Sequence, residues 1–335
     1  MTSKKNHIGL VLSISALVVG AWAGFVLLVL PRNYVAGASG FGIGLAVTVF
    51  LLGMRHAFDA DHIAAIDNTT RKLVGENRDA STVGLWFALG HSAVVLAAVG
   101  LITTGVTVFT SRARGDASPL IVIAGMWGPT VSSVFLVAIG SFNLVALVNA
   151  LRRRSAAGTA PNRLFGGPVT SALRRAGSAL DRPWKMFVVG LLFGLGFDTA
   201  STVGLLVVAA GAGILMPWYV AMVLPLLFTA GMVSCDGINS LVMSRAYSWS
   251  LTARNRRVGY NLALMGISVL VAFVIGGVGL WDIVAKYLRI NPMPAHGLGD
   301  LPMDSFGFVV AGGLVLLWAV CFATYRVGTW RRARG

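Results

Sequence analysis

The strongest constraint on this chain is a succession of eight apolar stretches, at roughly residues 8–30, 40–66, 81–110, 122–150, 184–210, 217–243, 258–285 and 304–325. A hydrocarbon core about 30 Å thick is crossed by about 20 helical residues, and each stretch reaches that length. Lipid offers no partner to backbone N–H and C=O groups, so each crossing must be a helix. Composition agrees: 56% of residues are apolar, 12% are charged and the mean hydropathy is +0.79, whereas soluble domains carry about a quarter charged residues. The expected fold is therefore all-α, a polytopic membrane protein of eight transmembrane helices.

The net charge of +15 is a topology signal. With the N-terminus inside, one side collects Lys4, Lys5, Arg71, Lys72, Arg78, Arg152, Arg153, Arg154, Arg163, Arg174, Arg175, Arg182, Lys185, Arg245, Arg254, Arg256 and Arg257, together with the arginines after 325. The other side receives Arg32, Arg112, Arg114, Lys286 and Arg289. Cytoplasmic loops carry the Lys/Arg excess, so both termini are expected in the cytoplasm of a cell bounded by this inner membrane, and no nucleic-acid partner is implied. The first apolar run follows two lysines and contains Ala21-Trp22-Ala23, but it is longer than the apolar run of a signal peptide and reads as a retained span. A basic stretch, 151–183, divides the chain into a membrane half at 1–150 and a second at 184–335; its Arg, Ala, Gly and Pro content suits a solvated cytoplasmic linker beside anionic head groups. Cys235 and Cys321 both lie in apolar stretches, so no disulfide framework is expected.

Ionisable groups inside lipid-spanning segments are expensive and face a bundle interior or a water path. Between Arg55 and Asp67 the second span carries Arg55, His56, Asp59, Asp61, His62 and Asp67, followed by Asn68, and His91 stands mid-span in the third. At about 100° per residue, Asp59, His62 and Asp67 fall within about 120° of His56, whereas Asp61 lies about 140° away. Either Asp61 contacts a neighbouring helix, or the segment is broken near Gly53 or Ala60, as transporter helices often are. Imidazole suits Ni, Co, Zn and Cu, whereas an all-carboxylate cage would suit Mg or Mn, and a carboxylate beside imidazole orients the ring. His56, His62 and His91 with Asp59 or Asp61 thus form a candidate N/O site for a divalent transition metal; the bland alternative is a His–Asp network that only packs helices. Asp67, Arg71 and Lys72 fall where the span is expected to leave the membrane, which suits helix termination and interface anchoring nearly as well as a place on the ion path; Asp67, Asn68 and Asn239 are candidates for a relay or second site. Asp198 and Asp236 are intramembrane acids of the second half, suited to a relay or second site or to pairing with Arg55, the one intramembrane arginine. Cys235 and Met232 offer soft atoms beside Asp236 but are ordinary packing residues.

The run Arg55-His56-Ala57-Phe58-Asp59-Ala60-Asp61-His62-Ile63-Ala64-Ala65-Ile66-Asp67-Asn68-Thr69-Thr70-Arg71-Lys72 closely resembles the signature of the nickel/cobalt transporter (NiCoT) family. The family's His-x₄-Asp-His core maps onto His56, Asp61 and His62. Leu89-Gly90-His91-Ser92 resembles its third-span motif, Leu195-Gly196-Phe197-Asp198-Thr199-Ala200 its fifth, and Phe228-Thr229-Ala230-Gly231-Met232 through Asp236 its sixth. Two positions depart from the pattern: Ser201-Thr202 stand where the fifth-span motif continues Thr-Glu, and Asn239 stands where the sixth carries a second Asp.

The resemblance implies secondary uptake of Ni²⁺ or Co²⁺ across the cytoplasmic membrane, with the ion as substrate and no cofactor. No Gly-rich loop ends in Gly-Lys-Ser/Thr, so ATP hydrolysis by this chain is not indicated and no ATPase subunit is required. An exporter of the same ions would use the same ligands, although the long His-rich loop such exporters often carry is missing. An intramembrane metalloenzyme is disfavoured because no His-Glu-x-x-His occurs and Glu76 is the sole glutamate. Phe58-Asp59-Ala60 and Phe197-Asp198-Thr199-Ala200 lie on spans of opposite direction, the arrangement of an inverted repeat.

Overall fold

The computed structural model describes residues 2–32, 35–36, 39–40, 42–103, 119–155, 180–195, 205, 217–252, 258–288 and 312–313. Their regular structure is helical apart from a two-residue antiparallel pairing of Val35–Ala36 with Ser39–Gly40. We number the main helices α1 (Thr2–Gly24), α2 (Ile43–His56), α3 (Ala60–Gly75), α4 (Val83–Thr103), α5 (Pro119–Ser155), α6 (Met186–Gly194), α7 (Val223–Thr252) and α8 (Val258–Leu288). Five apolar helices are long enough to cross a bilayer among the described residues: His7–Arg32, Val83–Leu101, Thr130–Asn149, Trp218–Ser248 and Met265–Ala285. The bent pair α2 and α3 brings them to six when taken as one span. The expected fifth span is described only as far as Leu195, apart from Leu205, and the expected eighth lies outside the described residues except for Gly312 and Gly313.

The second segment does not follow the straight helix used for the angular reading. It breaks after His56 and resumes at Ala60 with a bend of 54°. Asp59 takes an extended conformation there (φ −63°, ψ 141°), and its carbonyl accepts from the Ile63 N–H at 3.1 Å. Asp59 takes the N-cap position without a side-chain cap hydrogen bond, and Asp61 in the first turn of α3 accepts the His62 N–H and faces the positive end of the helix dipole. The -Asp-Ala-Asp- sequence thus favours restarting a helix in place of continuing one. The restarted helix runs to Gly75, well past residue 66, and Asn77 terminates it with φ 57°.

α7 is the central element. It packs against α1, α2, α3 and α4, while α6 lies along α4 and α5 along α8. Its contact with α2 is backbone on backbone: a Cβ added to Gly53 would lie 2.0 Å from the Phe228 carbonyl oxygen, and one on Gly231 would lie 2.2 Å from that of Phe50. Small residues permit such approaches in membranes, where packing contacts drive helix association. The outer flanks of α1 and α8 present Leu12, Val19 and Leu270, as lipid-facing positions should.

Asp67, Arg71 and Lys72 depart from the interface-anchor expectation. All three are buried in the protein. Arg71 pairs with Asp67 at 3.3 Å, donates to the Tyr247 hydroxyl of α7 at 2.7 Å and to the Ser268 hydroxyl of α8, and stacks over the Tyr247 ring at 4.6 Å. Tyr247 donates in turn to Asp67. Lys72 donates to the Leu180 carbonyl at 2.7 Å. Because α3 continues beyond the expected exit, its charged end sits between helices and needs protein partners there.

Candidate metal centre

The break in the second segment assembles the site. His56 ends α2 and His62 lies in the first turn of α3, so the bend turns both rings toward the same space. His91 enters from α4, next to Gly90. The three rings are nearly inaccessible, with exposures of 2%, 1% and 3%. Their centroids lie 4.6 Å (His56–His62), 4.8 Å (His56–His91) and 5.0 Å (His62–His91) apart. Phe87 packs edge-on against His62 at 4.8 Å, and Phe228 lies 5.6 Å from His56, so the histidines are walled by aromatic rings.

One ligand atom from each histidine falls within 4.8 Å of the others, and the Nε2 atoms of His56 and His91 are 3.0 Å apart. Two nitrogens bound to one ion at about 2.0–2.1 Å, at right or tetrahedral angles, stand about 2.8–3.4 Å apart. The 3.0 Å His56–His91 hydrogen bond holds the two nitrogens within that range.

The carboxylates surround the histidines. Asp59 Oδ2 lies 2.8 Å from His56 Nδ1, the ring nitrogen away from His91. Asp236, fully buried on α7, places Oδ2 3.6 Å from His62 Nδ1. Asp61 is half-buried, and its Oδ1 accepts the His62 backbone N–H at 2.9 Å. The structure therefore brings His56, His62 and His91 together, while Asp59 and Asp236 face the Nδ1 atoms of His56 and His62 and Asp61 accepts at the N-terminus of α3.

The remaining polar residues fall elsewhere. Asp67 belongs to the Arg71–Tyr247–Ser268 cluster. Asn68 donates to the Ala64 carbonyl and accepts from Asn143 of α5, each at 2.8 Å. Asn239 and Arg55 are half-buried. Asp198 lies outside the described residues, and with it the second half of the proposed inverted repeat. Met232 is a buried packing residue of the α7 core. Tyr247, Ser268 and Asn143 were not singled out from the sequence; for Asn143, a polar amide inside an apolar span was the available signal.

Comparisons with known proteins bear on this site. The family model described as "High-affinity nickel-transport protein" (NicO) matches residues 42–324. The nickel transporter NicT of Mycobacterium tuberculosis is 40% identical over 329 residues, covering 94% of this chain and 87% of that protein. The high-affinity nickel transport protein of Cupriavidus necator is 38% identical, covering 85% and 84%. The cobalt transport protein NhlF of Rhodococcus rhodochrous is 36% identical, covering 84% and 82%. No solved structure matches the chain.

Proposed function

Because the chain belongs to the NicO family of high-affinity nickel-transport proteins, we propose that it takes up Ni²⁺, Co²⁺ or both across the cytoplasmic membrane, binding the ion between His56, His62 and His91. The observation carrying this reading is the convergence of three buried imidazoles on α2, α3 and α4 within 4.8 Å. Neutral imidazole is a ligand for late divalent metals, and three such rings, in a chain that otherwise keeps histidine out of its described membrane core, have little packing rationale. Asp59, Asp61 and Asp236 add negative charge around them, which offsets a divalent cation in a low-dielectric interior.

The reading includes eight spans with both termini cytoplasmic, arranged as two halves about the 151–183 linker, as the distribution of lysine and arginine supports. In that orientation α3 leads from the histidines toward the cytoplasm, so the ion enters at His56 and His91 and leaves along α3. The membrane potential supplies the driving force: at about 2.3 kcal/mol per charge per 100 mV, a divalent ion gains about 4.6 kcal/mol, enough for about thousandfold accumulation. His56→Ala should abolish ⁶³Ni²⁺ and ⁵⁷Co²⁺ accumulation in intact cells while membrane-inserted protein stays at the wild-type level. Normal accumulation in that variant would end the proposal.

A further inference from the structure

Asp236 has an unusual situation. It is fully buried on α7, and neither carboxylate oxygen has a hydrogen-bond partner among the described residues. A buried carboxylate left so is costly. The group facing it is the Nδ1 edge of His62, itself without a hydrogen bond, at 3.6 Å. This is just beyond hydrogen-bond length, a looseness that sites commonly show before their ligand is bound. His56 repeats the arrangement at closer range, its Nδ1 lying 2.8 Å from Asp59. In both rings a carboxylate stands at Nδ1, which leaves Nε2 as the ligand atom, and the His56 Nε2 indeed faces His91.

We propose that Asp236 is a positioning residue: its carboxylate, reaching across from α7, accepts the Nδ1–H of His62 and holds that ring with Nε2 presented to the ion. This rests on the three-histidine site proposed above. A carboxylate at Nδ1 fixes the ring's orientation and tautomer and raises the basicity of the opposite nitrogen. An oxygen on the Nδ1 side cannot also reach an ion held at Nε2 of the same ring unless the ring turns away, so Asp236 acts through His62. The arrangement also ties the second half of the chain to the site: α7 contributes the orientation of a ligand carried by α3.

The test compares Asp236→Leu and Asp236→Asn in the full-length chain, reading initial rates of ⁶³Ni²⁺ uptake against Ni²⁺ concentration at matched membrane levels. Loss of a partner of this kind costs about 10–100-fold in metal affinity or activity. Asp236→Leu is expected to raise KM by about that factor with a much smaller change in maximal rate. Asp236→Asn should fall between, because its amide carbonyl still accepts from Nδ1–H; being isosteric, it carries the test if the leucine variant fails to accumulate. Nickel X-ray absorption of the purified Asp236→Asn protein should show the wild-type number of imidazole ligands. An unchanged KM in the single variants would overturn the proposal, and so would loss of one oxygen ligand from nickel in Asp236→Asn, which would make Asp236 a direct ligand. Undiminished uptake by His62→Ala alone would instead overturn the three-histidine reading.

Discussion

Gly90 of α4 and Gly190 of α6 meet backbone to backbone: a Cβ on Gly90 would lie 2.0 Å from the Phe187 carbonyl oxygen, and a Cβ on Gly190 would lie 1.9 Å from that of Phe87. His91 is the next residue along α4, so this approach sets how far its ring reaches toward His56. The obstructing atoms are backbone and cannot swing aside. Overpacking a well-filled core costs about 1–3 kcal/mol, and a rigid backbone contact belongs at the upper end. Gly190→Val should lower the thermal midpoint of the detergent-purified protein by several degrees and depress nickel uptake with it. Gly20→Ala on α1, where nothing lies within 4 Å of the added carbon, should be neutral or stabilising, since alanine favours a helix over glycine by about 1 kcal/mol.

The Asp67–Arg71 pair makes a different demand. Both groups are buried and share Tyr247. Removing one member of a buried pair leaves the other charge uncompensated, at about 3–5 kcal/mol. Asp67→Ala and Arg71→Met should each destabilise strongly, whereas the double variant should be less damaging than the sum of the two. Thermal unfolding of all four proteins gives the coupling energy. Simple additivity would mean the two side chains do not sense one another.

How much of this was legible beforehand follows from what each residue needed. The membrane class was open to reading because apolar length is a local property, and His56, His62 and His91 stood out because ionisable groups in apolar runs have few explanations. The division of labour among the acids was hidden. Asp59 and Asp61 could be assigned to ring nitrogens or backbone only once the bend after His56 was known, and a 3.6-periodic reading assumes no bend. Asp236 lies 174 positions from His62, and nothing local announces that α7 faces α3. Arg71 and Lys72 looked like the end of a span because charge usually marks one; here a longer helix carried them into the protein, where Tyr247, Ser268 and the Leu180 carbonyl receive them.

On the exposed side of the bundle, Lys185 lies 2.5 Å from Asp181 and, through that hydrogen bond, holds its carboxyl below the usual carboxylate range. A depressed folded-state value means that the contribution is present above the unfolded pKa of about 3.9 and fades as the pH falls through the lowered one. The pair is half-buried at the edge of the protein, and pairs with this much access to water contribute little. Asp181→Asn should therefore leave the thermal midpoint at neutral pH unchanged, with any difference from wild type confined to the acid limb of a pH–stability profile.

Metal should stabilise the folded chain through the histidines in particular. A ligand that binds only the native state adds RT ln(1 + [L]/Kd), about 2.7 kcal/mol at a hundredfold excess over Kd. Wild-type protein in detergent should thus melt several degrees higher with Ni²⁺ or Co²⁺ and return to its starting midpoint on chelation. Mg²⁺ should do nothing, since three imidazoles offer it no oxygen cage. His91→Ala removes the ring whose Nε2 stands 3.0 Å from that of His56, leaving two imidazoles that cannot enclose an ion. Its midpoint should shift far less with nickel at the same concentration. The free protein's own midpoint should fall as well, because the variant loses the buried 3.0 Å hydrogen bond between the two Nε2 atoms and empties the space of a buried ring, so the readout is the shift that nickel adds to each protein's own midpoint. If His91→Ala gained as much stability from nickel as wild type, the ion would be held elsewhere in the chain.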